Sequence, residues 1–509
     1  MADVSKRVMG GAALGGIGQL MAVACSLAAT RYLLNGMGPL YSVLVLLIGV
    51  QGGLLMLLGN GGQNALLVML AGDDEALLGR RSRALAAWVL AAAGLAFLAG
   101  LLVGTPWVGG ILWSDPASLA LWQRMAPWAG LAWAFQILCQ SLWAAQRARL
   151  RMPQAEFQAA VAQSLVILSG PLGLKLGVAL ESVVEAQALA WGGIFAAGVL
   201  WEKRQPGGLD LRPRADQAVF AEAWHIVGWS VLGLAGSAIV MYGDRFFSLQ
   251  AGANELTAYG LASSLTLRVP SILGLLGPLA LPLISAARRD PARAAQLQRT
   301  YISINLLGVA AACLPLAAGG AALLGVWGGG KFGPDIAVAA SRWMVLLALG
   351  GFFLGLSQAL STALIGYGAV ESAAWAAVTG AGMGLLAGFT ARAHGLPAAA
   401  WMAVAGEGTT AVIRAWALER KVLGRGGFGW LLQLLPWAVG GVLGLWLLRL
   451  SGFPRWLGPG FAGHLACFAS LGAAILMAGL LGEQQFARRR GHASLLDQGR
   501  EALARRRAG

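Results

Sequence analysis

Apolar stretches long enough to cross a bilayer recur from one end of the chain to the other, separated by short polar breaks. A helix needs about 20 apolar residues to cross about 30 Å of hydrocarbon, so each stretch reads as a membrane-spanning helix. The spans fall at 10–34, 42–71, 84–105, 119–146, 154–174, 183–201, 221–248, 256–286, 300–326, 338–365, 370–391, 397–418, 428–449 and 460–482. The longest internal break, 202–220, is too short to hold a soluble domain, and no strand alternation suggests a membrane barrel. The pattern predicts an all-α polytopic membrane protein of about 14 helices, both ends of the chain lying on the same side.

Composition agrees. Of the 509 residues 58% are hydrophobic and 12% charged, whereas a soluble chain carries about 25% charged residues. The 74 glycines suit helices whose backbones approach closely in lipid, as at Gly11-x-x-x-Gly15, although so many glycines also produce such pairs by chance. The net charge of +15 points to topology rather than to nucleic acid. Lys6 and Arg7, Arg80 to Arg83, Arg147 to Arg151, Lys203 to Arg214, Arg288 to Arg299, Arg420 to Arg425 and the Arg-rich tail all fall on one side. Loops on the other side are poor in Lys and Arg, and the positive-inside rule makes the basic side cytoplasmic. Both termini are therefore expected in the cytoplasm, with the chain in a bacterial inner membrane. The first apolar segment is too long for a signal-peptide core, so no cleavable leader is expected.

Enzyme chemistry is not in view. Cys25, Cys139, Cys313 and Cys467 lie in apolar spans without metal-ligand spacing, and His225, His394, His464 and His492 are scattered. There is no Walker A motif; Gly424-x-Gly426-x-x-Gly429 lies in a basic loop after a helix, the wrong setting for a nucleotide. A large extramembrane loop bearing Arg and His, as in sugar polymerases and ligases, is missing. No catalytic residue, metal or cofactor is expected.

What stands out is charge inside the spans, since a charged side chain at mid-membrane costs about 2.5–3.5 kcal/mol on insertion scales. Arg268 lies near mid-depth of the eighth span, ahead of Pro270, Pro278 and Pro282, which can bend that helix. Arg124 lies in the outer half of the fourth span, and Arg31 and Arg245 near the outer ends of the first and seventh. Together they form a candidate anion site. Simpler roles exist: Arg31 as a helix-end anchor, Arg245 as the partner of Asp244. Asp244 and Glu407 are candidate ion-coupling carboxylates, Glu407 being equally suited to a structural pair with a neighbouring helix.

The chain also repeats itself. Thr30-Arg31-Tyr32-Leu33-Leu34, then Gly38 and Tyr41, is echoed by Asp244-Arg245-Phe246-Phe247-Ser248, then Gly252 and Tyr259. Both copies face the same side, which implies parallel six-helix repeats about an axis along the membrane normal. The expected organisation is a first lobe at 1–201, a cytoplasmic linker at 202–220, a second lobe at 221–418, two further helices at 419–482 and a basic tail at 483–509.

On these residues and this layout the chain resembles the polysaccharide (O-antigen type) flippases of the multidrug/oligosaccharidyl-lipid/polysaccharide exporter superfamily. The usual Leu-Gly after the first Arg is replaced by Leu33-Leu34-Asn35-Gly36. The resemblance implies two six-helix lobes around a cavity, alternating access, and transfer of a polyprenyl-phosphate-linked oligosaccharide to the periplasmic leaflet of the bilayer. It also implies a polysaccharide polymerase and chain-length proteins as possible partners, and Arg31, Arg124, Arg245 and Arg268 as headgroup ligands. Three readings stay open beside it: a multidrug/cation antiporter, which needs cavity carboxylates; a lipid II flippase, whose characteristic N-terminal region is not apparent; and a scaffold for glycan assembly.

Overall fold

The computed structural model describes residues 2–421 apart from 61–62, 64–65, 67–68, 71–74, 150, 177–178, 206–211, 251, 267–276, 278–279, 282–283, 285–290 and 329–333, together with 472, 475–477, 480 and 484. It is an all-α, multi-pass membrane protein. The helices are α1 (Ala2–Met37), α2 (Tyr41–Leu54, continued as a π-helical turn over Leu55–Asn60), α3 (Glu75–Val103), α4 (Pro106–Leu112), α5 (Pro116–Ala148), α6 (Met152–Lys175) and α7 (Ser182–Arg204). They continue as α8 (Gln217–Tyr242), α9 (Asp244–Gln250), α10 (Ala253–Thr266), α11 (Pro291–Gly328), α12 (Pro334–Tyr367), α13 (Val370–Ala393) and α14 (Ala398–Lys421). Among the described residues, eight segments are long and apolar enough to cross a membrane, from Leu14–Met37 to Val370–Ala393. Apart from the few residues described after 421, the two expected C-terminal helices and the basic tail lie outside the described residues.

Local chemistry starts and stops these helices where the polar breaks predict. Thr105 and Asp115 cap α4 and α5, each followed by proline at the first helical position, and Asp115 accepts from the Ser118 amide at 2.8 Å. The turns at Gly38 (φ +55°) and Gly252 (φ +120°) use backbone conformations that side chains with a Cβ rarely adopt.

The chain divides into two compact units. One comprises Met1–Ser264 and Ala374–Met402; the other comprises Leu265–Ala373 and Ala403–Gly509. In the first, α1 packs on α6, and α3 and α7 pack on α5. Where α3 meets α5, a Cβ on Gly130 would stand 2.8 Å from the Gly100 Cα, so the helices touch backbone to backbone, as small residues permit in lipid. Large rings fill the remainder, with Trp143 against Trp191 at 6.2 Å between centroids.

The basic breaks of this unit are held by ion pairs. Arg147 binds Glu156 at 2.7 Å, Arg151 binds Glu202 at 3.3 Å, and Gln146 donates to Glu202 at 2.9 Å. Arg80 pairs through two nitrogens with Asp216, which also caps α8 by accepting from the Ala218 and Val219 amides. The guanidinium and these amides hold the Asp216 carboxyl down at about 2.

In the second unit α11 lies along α12. Its core gathers Ile302, Leu306, Val309 and Cys313 with Leu356, Leu360 and Leu364, and takes in Ala411 and Ala415 of α14.

Candidate functional site

Two adjacent charged side chains of the first unit, Asp244 and Arg245, are buried where α8 ends. Its last residue is Tyr242; Gly243 interrupts the helix, and Asp244 opens the short α9. A carboxylate in the first turn suits the positive end of the new helix. Asp244 is 1% exposed and Tyr259 of α10 is fully buried. The Tyr259 hydroxyl donates to Asp244 Oδ2, while Oδ1 has no partner.

Arg245 is 7% exposed. Its guanidinium carbon stands 5.1 Å from the centroid of the Tyr242 ring, within cation–π range. Nη1 lies 3.5 Å from the Met241 carbonyl, and Nε is buried without a partner. α2 makes room for this arginine: a Cβ on Gly49 would meet Arg245 Cδ at 2.5 Å and Nε at 3.2 Å, and Gly52 lies against the Tyr242 ring. The result is a buried guanidinium whose Nε has no partner, next in sequence to one carboxylate and packed on Gly49.

The other expected residues are placed differently. Arg31 is half-buried near the end of α1. Arg124 is exposed and pairs with Glu181 at 3.0 Å, a partner distant in sequence. Arg268 and the three prolines after it lie outside the described residues. Of the four arginines, Arg245 is the one the structure shows buried, next in sequence to the buried Asp244.

Glu407 belongs to a separate cluster in the second unit. Glu407, Ser357 and Arg414 are all buried. Arg414 Nη1 donates to Ser357 Oγ at 2.6 Å and to the Ser357 carbonyl at 3.0 Å, while Nε and Nη2 reach the Ala373 carbonyl at 3.3 and 3.2 Å. Arg414 thereby ties α14 to the main chain of α12 and α13.

Sequence reading missed a third feature. Gln51 of α2 donates to Gln136 of α5 at 2.6 Å, and Gln63 donates to Gln140 at 3.0 Å. Gln136 and Gln140 are four residues apart on one helix, a spacing that places both on one face and was readable in advance.

No family model matches the chain, and no curated protein matches it in sequence. Solved structures do. An inward-facing multidrug-resistance MATE transporter of the MOP superfamily superposes with a TM-score of 0.64 at 14% identity, over 80% of this chain and 98% of its own. The fold is that of the MOP-superfamily transporters. A MOP transporter from Pyrococcus furiosus, described as having a binding pocket of reverse polarity, gives 0.62 at 13% identity over 83% of this chain and 97% of its own. The lipid II flippase MurJ, in an inward closed conformation, gives 0.62 at 12% identity, over 96% of this chain and 99% of its own. The multidrug fold is therefore matched almost entirely but leaves a part of this chain uncovered, whereas the flippase fold spans nearly all of it.

Proposed function

We propose that the chain is a transporter that moves a lipid-linked saccharide precursor across the inner membrane by alternating access, for assembly of a cell-surface polysaccharide. The observation that carries this reading is Arg245, a buried guanidinium with an unused Nε, seated on Gly49 and beside Tyr242. Arginine binds phosphate oxygens through two parallel hydrogen bonds, and such bonds strengthen away from water. A phosphate or diphosphate headgroup would engage Arg245 while its polyprenyl tail stays in lipid. Arg268 is proposed as a second ligand, with Arg31 and Arg124 nearer the outer surface. Asp244 and Glu407 are the proposed sites for a coupling proton or cation. Similarity to a flippase fold over 96% of the chain supports this reading over a drug exporter.

A multidrug/cation antiporter is the second reading, favoured by the two buried carboxylates, Asp244 and Glu407. One experiment separates the two. Surface glycan, the leaflet distribution of the lipid-linked precursor and sensitivity to cationic dyes are measured in cells carrying Arg245→Ala or Arg245→Lys. A hydrogen bond to a charged group is worth about 1.5–3 kcal/mol, so Arg245→Ala should lower export by about 10- to 100-fold with protein abundance unchanged. Arg245→Lys should recover part of it, and Arg268→Ala should behave like Arg245→Ala. Normal glycan export in Arg245→Ala removes that residue from the site. Raised dye sensitivity with intact glycan export establishes the antiporter instead.

A further inference from the structure

The Gln51–Gln136 and Gln63–Gln140 pairs have features that a purely structural bridge does not need. All four amides are half-buried in an otherwise apolar unit. Each pair uses one N–H and one carbonyl. Within the described residues, the other carbonyl, on Gln51 and Gln63, and the other NH2, on Gln136 and Gln140, make no hydrogen bond, and none of them is a buried orphan. Each bridge therefore leaves an acceptor and a donor in accessible space.

Two features lie beside these amides. Residue 59 is glycine: a Cβ there would come to 3.4 Å from Gln140 Oε1 and 3.7 Å from Gln63 Nε2. The backbone from Leu55 to Asn60 is a π-helical turn, a wide irregularity that recurs at functional sites. The two α5 anchors are about 6 Å apart along the helix axis. The first bridge begins at Gln51, in the same turn of α2 as Gly49 but on a different face, so Gln51 meets Gln136 while Gly49 meets Arg245.

A planar amide presents a donor and an acceptor side by side, the complement of two neighbouring hydroxyls on a sugar ring, each of which both donates and accepts. A bridge between two amides also satisfies itself when no sugar is present and opens without leaving a buried polar group unpaired, the large penalty in hydrocarbon. We infer that the two amide bridges onto α5 form a carbohydrate subsite, which takes a sugar of the headgroup while Arg245 takes the phosphate. This rests on the lipid-linked saccharide reading above, and it adds that the protein distinguishes a glycosylated lipid from a bare one.

The test uses the full-length protein in lipid nanodiscs and two probes, polyprenyl diphosphate alone and the same lipid bearing one hexose. Neutral hydrogen bonds are individually modest, so the parent should bind the hexose-bearing probe about tenfold more tightly than the bare one. In Gln136→Leu/Gln140→Leu that ratio should fall to about one. Gln140→Leu and Gln136→Asn, milder changes that test the same point if the double variant fails to fold, should give intermediate ratios. Equal binding of the two probes by the parent overturns the subsite and leaves the headgroup reading standing. A double variant that keeps the preference, or loses both probes equally, also overturns it and makes the bridges helix-to-helix ties. Binding of neither probe by the parent rejects the lipid-linked substrate and the subsite together.

Discussion

The stretches Arg31–Tyr41 and Arg245–Tyr259 carry the same sequence elements but fold differently. In both, an arginine and large apolar residues lead to a glycine with positive φ, at Gly38 and Gly252, and then to a buried tyrosine. In the first copy α1 runs unbroken through Arg31 to Met37, and the arginine stays half-buried. In the second the helix stops at Tyr242, restarts at Asp244 and carries Arg245 into the interior. Thr30 stands where Asp244 does. A carboxylate favours the start of a helix, and Gly243 between the two segments keeps right-handed helical angles. The two copies thus share a turn and differ in the helix that precedes it.

The strongest way to break this contrast is to fill the cleft that seats Arg245. Gly49→Leu would occupy the place of the Arg245 side chain, whereas a Cβ at Gly53 meets open space. Export should fall about tenfold or more in Gly49→Leu, matching the loss of a hydrogen bond to a charged group, and stay near the parent level in Gly53→Leu. Equal effects would detach Arg245 from function.

A smaller effect should separate the two turns. Neither glycine has a neighbour within 4 Å of a built Cβ, so an alanine there tests the backbone alone. Gly38, at φ +55°, lies in the left-handed helical well, where a Cβ costs about 1–2 kcal/mol. Gly252, at φ +120°, lies beyond it, and strain there is about 1–3 kcal/mol. Gly252→Ala should lower the melting temperature more than Gly38→Ala. The reverse order would mean that the two turns do not differ as described.

The smallest effect sharpens the account of α8, the helix that delivers Arg245. Asp216 titrates at about 2, against an ordinary 3.8, because Arg80 and the first amides of α8 favour the carboxylate. A depressed folded value adds stability above the unfolded value and loses it as pH falls through the folded one. Asp216→Asn should therefore melt below the parent near neutral pH, with the gap closing between about pH 4 and pH 2. A gap that persists at pH 2 would assign the effect to lost capping rather than to charge. Because the pair is exposed, the shift should be small.

The features legible in the sequence were those set by local rules. Apolar length gives the membrane class, and the repeat gave both positive-φ glycines and the tyrosines behind them. The buried Asp244–Arg245 node was visible as adjacent charges in a span. Long-range pairing was not legible. Arg124 reads as an embedded cation until Glu181 comes to it from the turn before α7, and Glu202, 1% exposed, reads as a loop residue until Gln146 and Arg151 surround it. The amide bridges were missed because glutamine in a span lacks the large insertion cost that draws attention to a charge.

The hold of Arg414 on Ser357 and Ala373 bears on how the protein is made. α14 carries Glu407 and Arg414 and is not among the eight described segments apolar enough to cross unaided. It leaves the ribosome after α12 and α13, so the hydroxyl and carbonyls that its guanidinium will bind are already in the bilayer when it arrives. Its entry into lipid is then a docking reaction onto finished helices rather than an independent partitioning step. Because two of the three acceptors are main-chain carbonyls, replacing Ser357 would remove only the hydroxyl and leave most of that docking site in place.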